Sequence, residues 1–470
     1  MDVSKFTIAS ARKALDAKEY SAVELTDAYM KNIQLKDGEI HAYLEVWEKQ
    51  AKEEAKHADV VIGRGESAPL TGIPLAIKDN ILIEGRVASA ASRILEKYHA
   101  TYDATVILKL KAQGVVFLGR TNMDEFALGG STENSAYGPT KNPHDLTRVP
   151  GGTSGGSAAA VAAHMALGAL GSDTGGSIRQ PSAFCGVVGL KPTYGAVSRF
   201  GLMAAASSLD QIGTIAKNVE DVKVIFEAIA GHDAHDSTSL PDKPVHASKP
   251  KTIGVPRAFL KEGVESDVLD AFEDTLTMLR TMGYRVVDIE LSSLQYALAT
   301  YYIINPAEVS TNLARYDGIR YGLSVAGDSI DEVYKKSRGA GFGRETRRRI
   351  LVGAFVLSAG YADAYYRKAR AVRDVIRSDF AAAFENVDAI ALPTSPIAPW
   401  KLGEKADPVS LYAADIFTVP LNLAGLPGIS IPSGSVMRDS MQLPVGFQLI
   451  AAHRAEDTLF HLGAALENNR

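Results

Sequence analysis

Residues 129–216, in the first half of the chain, are crowded with glycine, serine and threonine. Small residues let backbones approach closely, but glycine also loses much conformational freedom on folding, so a stretch of this length stays ordered only when it is buried. Regular elements are predicted on both sides of it, which excludes a flexible linker. The alanine-rich residues Ser157 to Leu170 predict one tightly packed helix within it.

Apolar strands and amphipathic helices alternate around this stretch, and residues 4–60 predict two or three surface helices. Strands are predicted at 72–81, 114–119, 252–256, 284–291, 389–392, 428–432 and 446–450. Helices are predicted at 105–113, 267–282, 345–384 and 456–467, and a surface loop at 231–250. The alternation favours parallel strands covered by helices. We expect one α/β domain over residues 1–470, with a mixed, mostly parallel central sheet covered by many helices.

The composition excludes several classes of protein. The chain has 470 residues, 46% of them hydrophobic, which is enough for a large core and argues against disorder. Its net charge is −5 and no basic block stands out, so the chain is not expected to hold nucleic acid by itself. One cysteine excludes a disulfide framework. Without a signal sequence or a long apolar run, we expect a cytoplasmic protein that does not enter a membrane.

Several short motifs compete for the active site. Residues 152–156 match G-x-S-x-G, which would make Ser154 the nucleophile, yet no downstream histidine lies in a recognisable catalytic loop. Asp173-Thr-Gly resembles an aspartic protease triplet, but those enzymes need two such carboxylates and no second copy exists. No phosphate-binding loop follows the glycines. His232 and His235 could hold a metal, but a histidine pair in a polar loop is usually solvated, and we expect no metal site.

A different set of three segments fits acyl transfer. Lys78 lies in the apolar segment 74–81, residues 149–160 place hydroxyls before a helix, and residues 171–181 contain Ser177 among small residues. Ser177 would attack an amide carbonyl once a base removes its proton. A lysine amine can do so only when its pKa falls from about 10.4 towards neutrality, and burial among apolar side chains acts in that direction. A bridging hydroxyl would relay the proton to Lys78.

The backbone before Ser177 predicts an oxyanion hole. Thr174, Gly175 and Gly176, together with Ser177, present consecutive N–H groups that can point at the charge developing on the carbonyl oxygen. Glycines permit the backbone geometry that this arrangement needs.

The sequence closely resembles the amidase signature family over nearly its whole length. The resemblance is most specific between Arg148 and Thr193, within a signature core at about 72–216. It implies that Ser177 forms the acyl-enzyme and that Lys78 is the base. The family's bridging residue is normally a serine preceded by a cis peptide bond, and here that position is Thr153. A threonine hydroxyl can relay a proton, although its methyl group restricts χ1. The side chain of Ser154 is expected to point elsewhere.

Within this family the sequence looks most like the A subunits of aspartyl/glutamyl-tRNA amidotransferases, for example at 122–126 and 422–428. The likeness implies that glutamine is the substrate and places three residues in its pocket. Arg349 would bind the α-carboxylate, Asp415 the α-ammonium, and Tyr301 would complete the pocket. The register of the arginine is open, because Arg347 and Arg348 precede it.

The same resemblance implies partners. This chain would carry no cofactor, and ATP and Mg²⁺ would be used by a partner. The B and C subunits would complete the enzyme, and the partner would hold Glu-tRNA(Gln) or Asp-tRNA(Asn). Two alternatives are a stand-alone amidase for small amides and a catalytically silent scaffold. The intact Lys78 and Ser177 pair argues against the scaffold.

Overall fold

The fold is built on one long sheet. The computed structural model describes residues 1–241, 250–261, 263–405 and 407–469. In these residues eleven strands form a single sheet in the order β1-β3-β2-β4-β6-β5-β10-β11-β9-β7-β8. The strands are β1 (Tyr43–Val46), β2 (Pro74–Lys78), β3 (Val116–Thr121), β4 (Gly168–Asp173), β5 (Val188–Lys191), β6 (Gln211–Ala216), β7 (Thr252–Val255), β8 (Arg285–Asp288), β9 (Ala389–Pro393), β10 (Gly428–Arg438) and β11 (Met441–Ala451).

Helices surround the sheet, as predicted for an α/β domain. The α-helices are α1 (Ile8–Asp16), α2 (Ala22–Ile40), α3 (Glu48–Gly63), α4 (Thr105–Ala112), α5 (Gly155–Ala162), α6 (Arg179–Cys185), α7 (Val219–Ile229), α8 (Ser266–Thr281), α9 (Ala297–Asn312), α10 (Ile330–Gly341), α11 (Arg344–Val356), α12 (Lys368–Ala383), α13 (Pro408–Ala413), α14 (Val419–Ala424) and α15 (Glu456–Asn468). The N-terminal segment contains α1, α2 and α3, in agreement with the two or three helices predicted there.

The sheet is mixed, as predicted, but the expectation of mostly parallel strands is wrong. Parallel pairs join β3, β2 and β4 near one edge and β9, β7 and β8 at the other, whereas the pairs between β4 and β9 are antiparallel. One cause is a tight hairpin between β10 and β11 through Asp439 and Ser440, both of which have positive φ. Alternating apolar segments do not reveal which neighbours pair through such turns.

The glycine-rich stretch is buried through most of its length, but its predicted helix is too long. Helix α5 ends at Ala162, and the second half of the predicted segment leads into strand β4. His164, with φ of 61°, lies in the turn between them. Alanine-rich and glycine-rich residues suit both elements here, because β4 is fully buried between β2 and β6.

One further prediction needs correction. The helical region predicted at 345–384 is divided into α11, a π-helical segment at Ala362–Arg367, and α12, with Gly360 at positive φ before the π-helical segment. Of the loop predicted at 231–250, residues 242–249 lie outside the described part of the chain, and residues 231–241 contain no strand or helix.

The parallel pairing of β2 with β4 positions the site. Ile77 lies opposite Leu170, so Lys78 at the end of β2 lies beside the end of β4. The chain leaves β4 at Asp173 and enters α6 through residues 174–178. Carboxyl ends of neighbouring parallel strands meet at one edge of a sheet, which is where α/β enzymes commonly bind their ligands.

Candidate active site

Lys78 is completely buried at the end of β2. Its Nζ lies 2.7 Å from Thr153 Oγ1, 2.8 Å from Ser154 Oγ and 3.2 Å from the Ser172 carbonyl oxygen. Burial lowers the pKa of Lys78 to about 7, although nearby carboxylates act in the opposite direction. A substantial fraction of this amine is therefore neutral at physiological pH and able to accept a proton.

Thr153 lies in the loop before α5, and the peptide bond between Gly152 and Thr153 is cis. The loop is held from two sides. The Gly152 N–H donates to Gln180 Oε1 (2.8 Å), and a Cβ at Gly152 would lie only 2.4 Å from Asp124 Oδ2. No larger side chain fits at Gly152, so the position of the Thr153 hydroxyl depends on this close packing.

The expectation that Ser154 points elsewhere is wrong. Its hydroxyl accepts a bond from Lys78 Nζ and donates to the Ser172 carbonyl oxygen at 3.2 Å. Lys78 therefore contacts two adjacent hydroxyls, because the turn into α5 brings both side chains to the end of β2. These bonds to Lys78 and Ser172 also weaken the alternative in which Ser154 is a nucleophile activated by a histidine.

Ser177 lies in the turn between β4 and α6, with 7% of its surface exposed. Its carbonyl oxygen accepts a 3.0 Å bond from the Ser154 N–H, which joins this turn to the loop of Thr153. Within the described residues, the Ser177 hydroxyl makes no hydrogen bond. A backbone hydrogen bond thus connects the turn that contains Ser177 to the loop whose Thr153 and Ser154 hydroxyls contact Lys78.

The backbone N–H groups of residues 174–177 differ in whether they already donate a hydrogen bond within the protein. The Gly176 N–H already donates to Asp173 Oδ1 at 2.8 Å, so it is engaged within the protein. In the part of the chain that the structure describes, the N–H groups of Thr174, Gly175 and Ser177 have no hydrogen-bond acceptor. Gly176 has φ of 131°, and a Cβ there would lie 2.3 Å from Thr418 Oγ1. Gly176 shapes the turn that leaves the other three donors available.

A buried ion pair fixes this turn. Arg179 Nε and Nη2 each bind a carboxylate oxygen of Asp173 at 3.0 Å, and both side chains are fully buried. Despite the penalty of burial, Arg179 and hydrogen bonds lower the pKa of Asp173 to about 2. Asp173 stays ionised and also binds the N–H groups of Gly176 and Ile178. It orders the backbone and is unsuited to serve as a protonated acid, which removes the aspartic protease interpretation.

The structure resolves the register of the three consecutive arginines. Arg347 is exposed and Arg348 is half-buried, whereas Arg349 is buried against α9 and α13. Arg349 Nε donates to Glu345 at 2.6 Å and Nη1 donates to Asn305 at 3.1 Å. Among the described residues Nη2 has no hydrogen-bond partner. Glu345 and Asn305 therefore fix the position of the guanidinium, and Nη2 is the nitrogen that could bind a ligand.

Tyr302, which the sequence interpretation did not select, connects Arg349 with Asp415. Its hydroxyl donates to Asp415 Oδ2 at 3.2 Å, and its ring centroid lies 4.7 Å from the Arg349 guanidinium carbon. Tyr412 lies at 4.6 Å from the same carbon and stacks on Tyr302. The signal was the tyrosine doublet at 301–302, of which only the first member was predicted to bind substrate.

Arg349 and Asp415 lie close to the turn at residues 174–178, which contains Ser177. A Cβ at Gly175 would lie 2.6 Å from the Tyr301 hydroxyl, so Tyr301 packs directly on that turn. Thr418 Oγ1 donates to the Gly175 carbonyl oxygen at 2.6 Å and contacts the Asp415 carbonyl oxygen at 3.1 Å. Burial raises the pKa of Asp415 to about 7, and both Tyr302 and Arg349 oppose this rise. Tyr301, Arg349 and Asp415 therefore share one region with the loop of Ser177.

Neither a metal cluster nor a membrane span is found where the structure describes the chain. No three histidine, cysteine, aspartate or glutamate side chains there form a group that could hold a metal ion. No helix there is both long enough and apolar enough to cross a membrane.

Comparison with known proteins gives one consistent result. The Amidase family model matches residues 24–460. The A subunit of glutamyl-tRNA(Gln) amidotransferase from Thermoanaerobacter pseudethanolicus is 50% identical, with 99% of this chain and 97% of the relative covered. Its counterpart from Moorella thermoacetica is also 50% identical, over 100% of this chain and 97% of its own length. The crystal structure of the A subunit from Thermotoga maritima superposes with a TM-score of 0.82 at 41% identity, covering 100% of this chain and 96% of that one. The chain belongs to the Amidase family, whose signature enzymes the sequence resembles.

Proposed function

We propose that this chain is the glutaminase subunit of a tRNA-dependent amidotransferase. It hydrolyses the side-chain amide of glutamine and delivers ammonia to a partner subunit. The observation that carries the proposal is the buried Lys78 amine at 2.7 Å from the Thr153 hydroxyl, next to the loop of Ser177. The relatives named as the A subunits of amidotransferases, which match nearly the whole chain, support the same function.

The proposed reaction begins with a proton relay. The neutral Lys78 amine accepts the proton of the Thr153 hydroxyl as Thr153 accepts the proton of Ser177. The Ser177 oxygen attacks the amide carbon, and the N–H groups of Thr174, Gly175 and Ser177 bind the resulting oxyanion. When the C–N bond breaks, the relay returns a proton to the leaving nitrogen and ammonia departs. Water then cleaves the γ-glutamyl ester of Ser177 by the same sequence of transfers.

The opposite charges of the pocket select glutamine. Arg349 Nη2 binds the α-carboxylate and Asp415 binds the α-ammonium, while Tyr301 packs against Gly175 in the turn at residues 174–178. An ammonium beside Asp415 favours the ionised carboxylate and so opposes burial, which raises the pKa of this group to about 7. A pocket for lipid or aryl amides would instead be lined by apolar side chains.

The remaining steps are proposed for partner subunits. One partner holds Glu-tRNA(Gln) or Asp-tRNA(Asn) and activates its carboxyl group with ATP and Mg²⁺, and a second subunit completes the complex. The net charge of −5 on this chain is consistent with the partner, rather than this chain, holding the tRNA.

The decisive experiment for this proposal compares the chain alone with the complete complex. Ammonia release from glutamine is measured for each, with and without the acylated tRNA and ATP. We expect ammonia release from the complex and transfer to the tRNA-bound amino acid. Rapid hydrolysis of unrelated small amides by the chain alone, without glutamine activity in the complex, would instead identify a stand-alone amidase.

Replacement of Thr153 tests the relay. Thr153→Ser keeps a hydroxyl next to Lys78 and is expected to retain activity. Thr153→Ala removes it and is expected to lower kcat for ammonia release by roughly 10²- to 10⁴-fold, the contribution of a positioned proton-transfer group. Ser154→Ala is the matched comparison, since its hydroxyl also contacts Lys78. An active Thr153→Ala enzyme together with an inactive Ser154→Ala enzyme would transfer the relay to Ser154.

Replacement of Arg349 tests the substrate. Arg349→Lys keeps the charge but loses the planar guanidinium, so KM for glutamine is expected to rise about 10- to 100-fold with a smaller change in kcat. Arg347→Lys, on the exposed side of the same helix, is the control and should behave like the wild type. The same variants are assayed with a γ-amide that lacks the α-carboxylate. An equal loss on both substrates would contradict carboxylate binding by Arg349.

A further inference from the structure

Helix α11 is buried on one face and exposed to solvent on the other. Its inward face contains Arg349, and Gly353 on that side packs so tightly on α9 that a Cβ would overlap the Pro306 carbonyl. Its outward face carries Leu351, which is 71% exposed, and Phe355, which is 49% exposed. A single exposed apolar residue is common on protein surfaces, but several that lie next to each other indicate an interaction surface.

The exposed groups form one cluster, which we call the α11 patch. Its members are the exposed side chains Leu351, Val352, Phe355, Tyr361 and Tyr365. The Phe355 ring centroid lies 4.4 Å from that of Tyr361 and 6.2 Å from that of Tyr365. Leu351 precedes Phe355 by one helical turn and lies on the same side of α11. The α11 patch is thus continuous from the helix into the π-helical segment after it.

Basic residues border the patch. Residues 344–377 contain nine lysines and arginines but only three acidic residues, in a chain whose net charge is −5. Arg344 and Arg347 extend the outward face of α11 before Leu351, and Lys368 follows Tyr365 by one turn. All three are exposed, and within the described residues none of them forms an ion pair.

We propose that the α11 patch is the docking surface for a partner subunit that presents apolar side chains flanked by carboxylates. The apolar centre would supply the contact area and the basic border the complementary charge. The aromatic rings of the patch could also stack on bases, so tRNA binding is measured in the test below. A protein partner is favoured because the exposed aliphatic side chains Leu351 and Val352 offer a base neither an aromatic face nor a hydrogen-bonding group. The identification of this partner as one of the amidotransferase subunits rests on the proposed function.

Docking there has a consequence for the glutamine site. Arg349 and Leu351 lie on opposite sides of the same helix, so a bound partner would restrict the helix that holds the carboxylate-binding guanidinium. Partner binding is therefore expected to lower KM for glutamine.

The test measures binding between the full chain and its partner subunits by sedimentation velocity. The double variant Leu351→Glu/Phe355→Glu is expected to weaken binding by about tenfold or more, as for central interface residues. Ile330→Glu is the control, since Ile330 is 76% exposed on another helix. Arg344→Glu/Arg347→Glu should weaken binding most at low salt. Circular dichroism establishes that each variant is folded.

Each outcome decides the question. Binding of the double variant as tight as that of Ile330→Glu would overturn the docking surface but leave the proposed function standing. Normal assembly with loss of tRNA binding would show that the patch contacts nucleic acid and would also overturn it. Failure of the wild-type chain to bind its partners would overturn both proposals.

Discussion

Replacement of Ser177 by alanine is expected to lower ammonia release from glutamine by roughly 10⁴-fold or more, because it removes the hydroxyl that is proposed to form the acyl-enzyme. The Ser177 hydroxyl makes no hydrogen bond in the described residues, so its removal should leave the melting temperature nearly unchanged. Ser182→Ala is the matched control, since the hydroxyl of that residue in α6 donates to the Ile178 carbonyl oxygen. Ammonia release and thermal unfolding are measured on the complex for both variants. Substantial activity in Ser177→Ala would eliminate this residue as the nucleophile.

Replacement of Lys78 by methionine is the second large effect. Methionine fills the buried space without an amine, so the proton of Ser177 loses its acceptor and kcat is expected to fall by at least about 10³-fold. Because methionine removes a costly buried cation, the variant should fold, and its melting temperature provides that check. Lys191→Met is an informative control: Lys191 is equally buried, its pKa is likewise lowered to about 7 by burial, and it lies at the end of β5 with Nζ on the Pro192 carbonyl oxygen. A comparable loss of kcat in both variants would show that any buried lysine matters structurally and would not support Lys78 as the base.

The expected pH dependence of kcat/KM also follows from Lys78. A base must be unprotonated, so kcat/KM is expected to rise with pH through a transition near 7, the pKa of the buried Lys78. Asp124, Asp173 and Asp210 raise this pKa, so replacing Asp124 by asparagine should move the transition to lower pH. Asp415, whose pKa is also about 7, would contribute through KM, because only its ionised form attracts the ammonium. A rate that is constant between pH 5 and 9 would contradict a lysine base.

The proposed catalytic residues could be selected from the sequence because each lies in a local pattern with a chemical requirement. A lysine inside an apolar strand and a serine in a glycine-rich turn can be recognised without any knowledge of the fold. The Asp173–Arg179 pair and the bond from Gly176 N–H to Asp173 required the structure, because they depend on how the turn closes. The same limit applies to Ser154, whose hydroxyl reaches Lys78 through the turn geometry rather than through a motif.

The residues of the proposed glutamine pocket could be identified only in part from the sequence. Arg349 could be separated from Arg347 and Arg348 only once α11 was seen to turn that residue towards α9. Tyr302 was missed because the connection between α9 and Asp415 joins residues more than a hundred positions apart. The strand directions were predicted wrongly for the same reason, because strands such as β5 and β10 pair although they lie far apart in the sequence.

The most direct test of Ser177 as nucleophile is to trap its ester. The complex is incubated with a γ-ester of glutamate that has a good leaving group, which makes deacylation the slow step, then quenched in acid and digested. Mass spectrometry is expected to find a γ-glutamyl group on Ser177 in the wild type and none at that peptide in Ser177→Ala. The same group on Ser154, or undiminished turnover without any modified serine, would contradict the proposed mechanism.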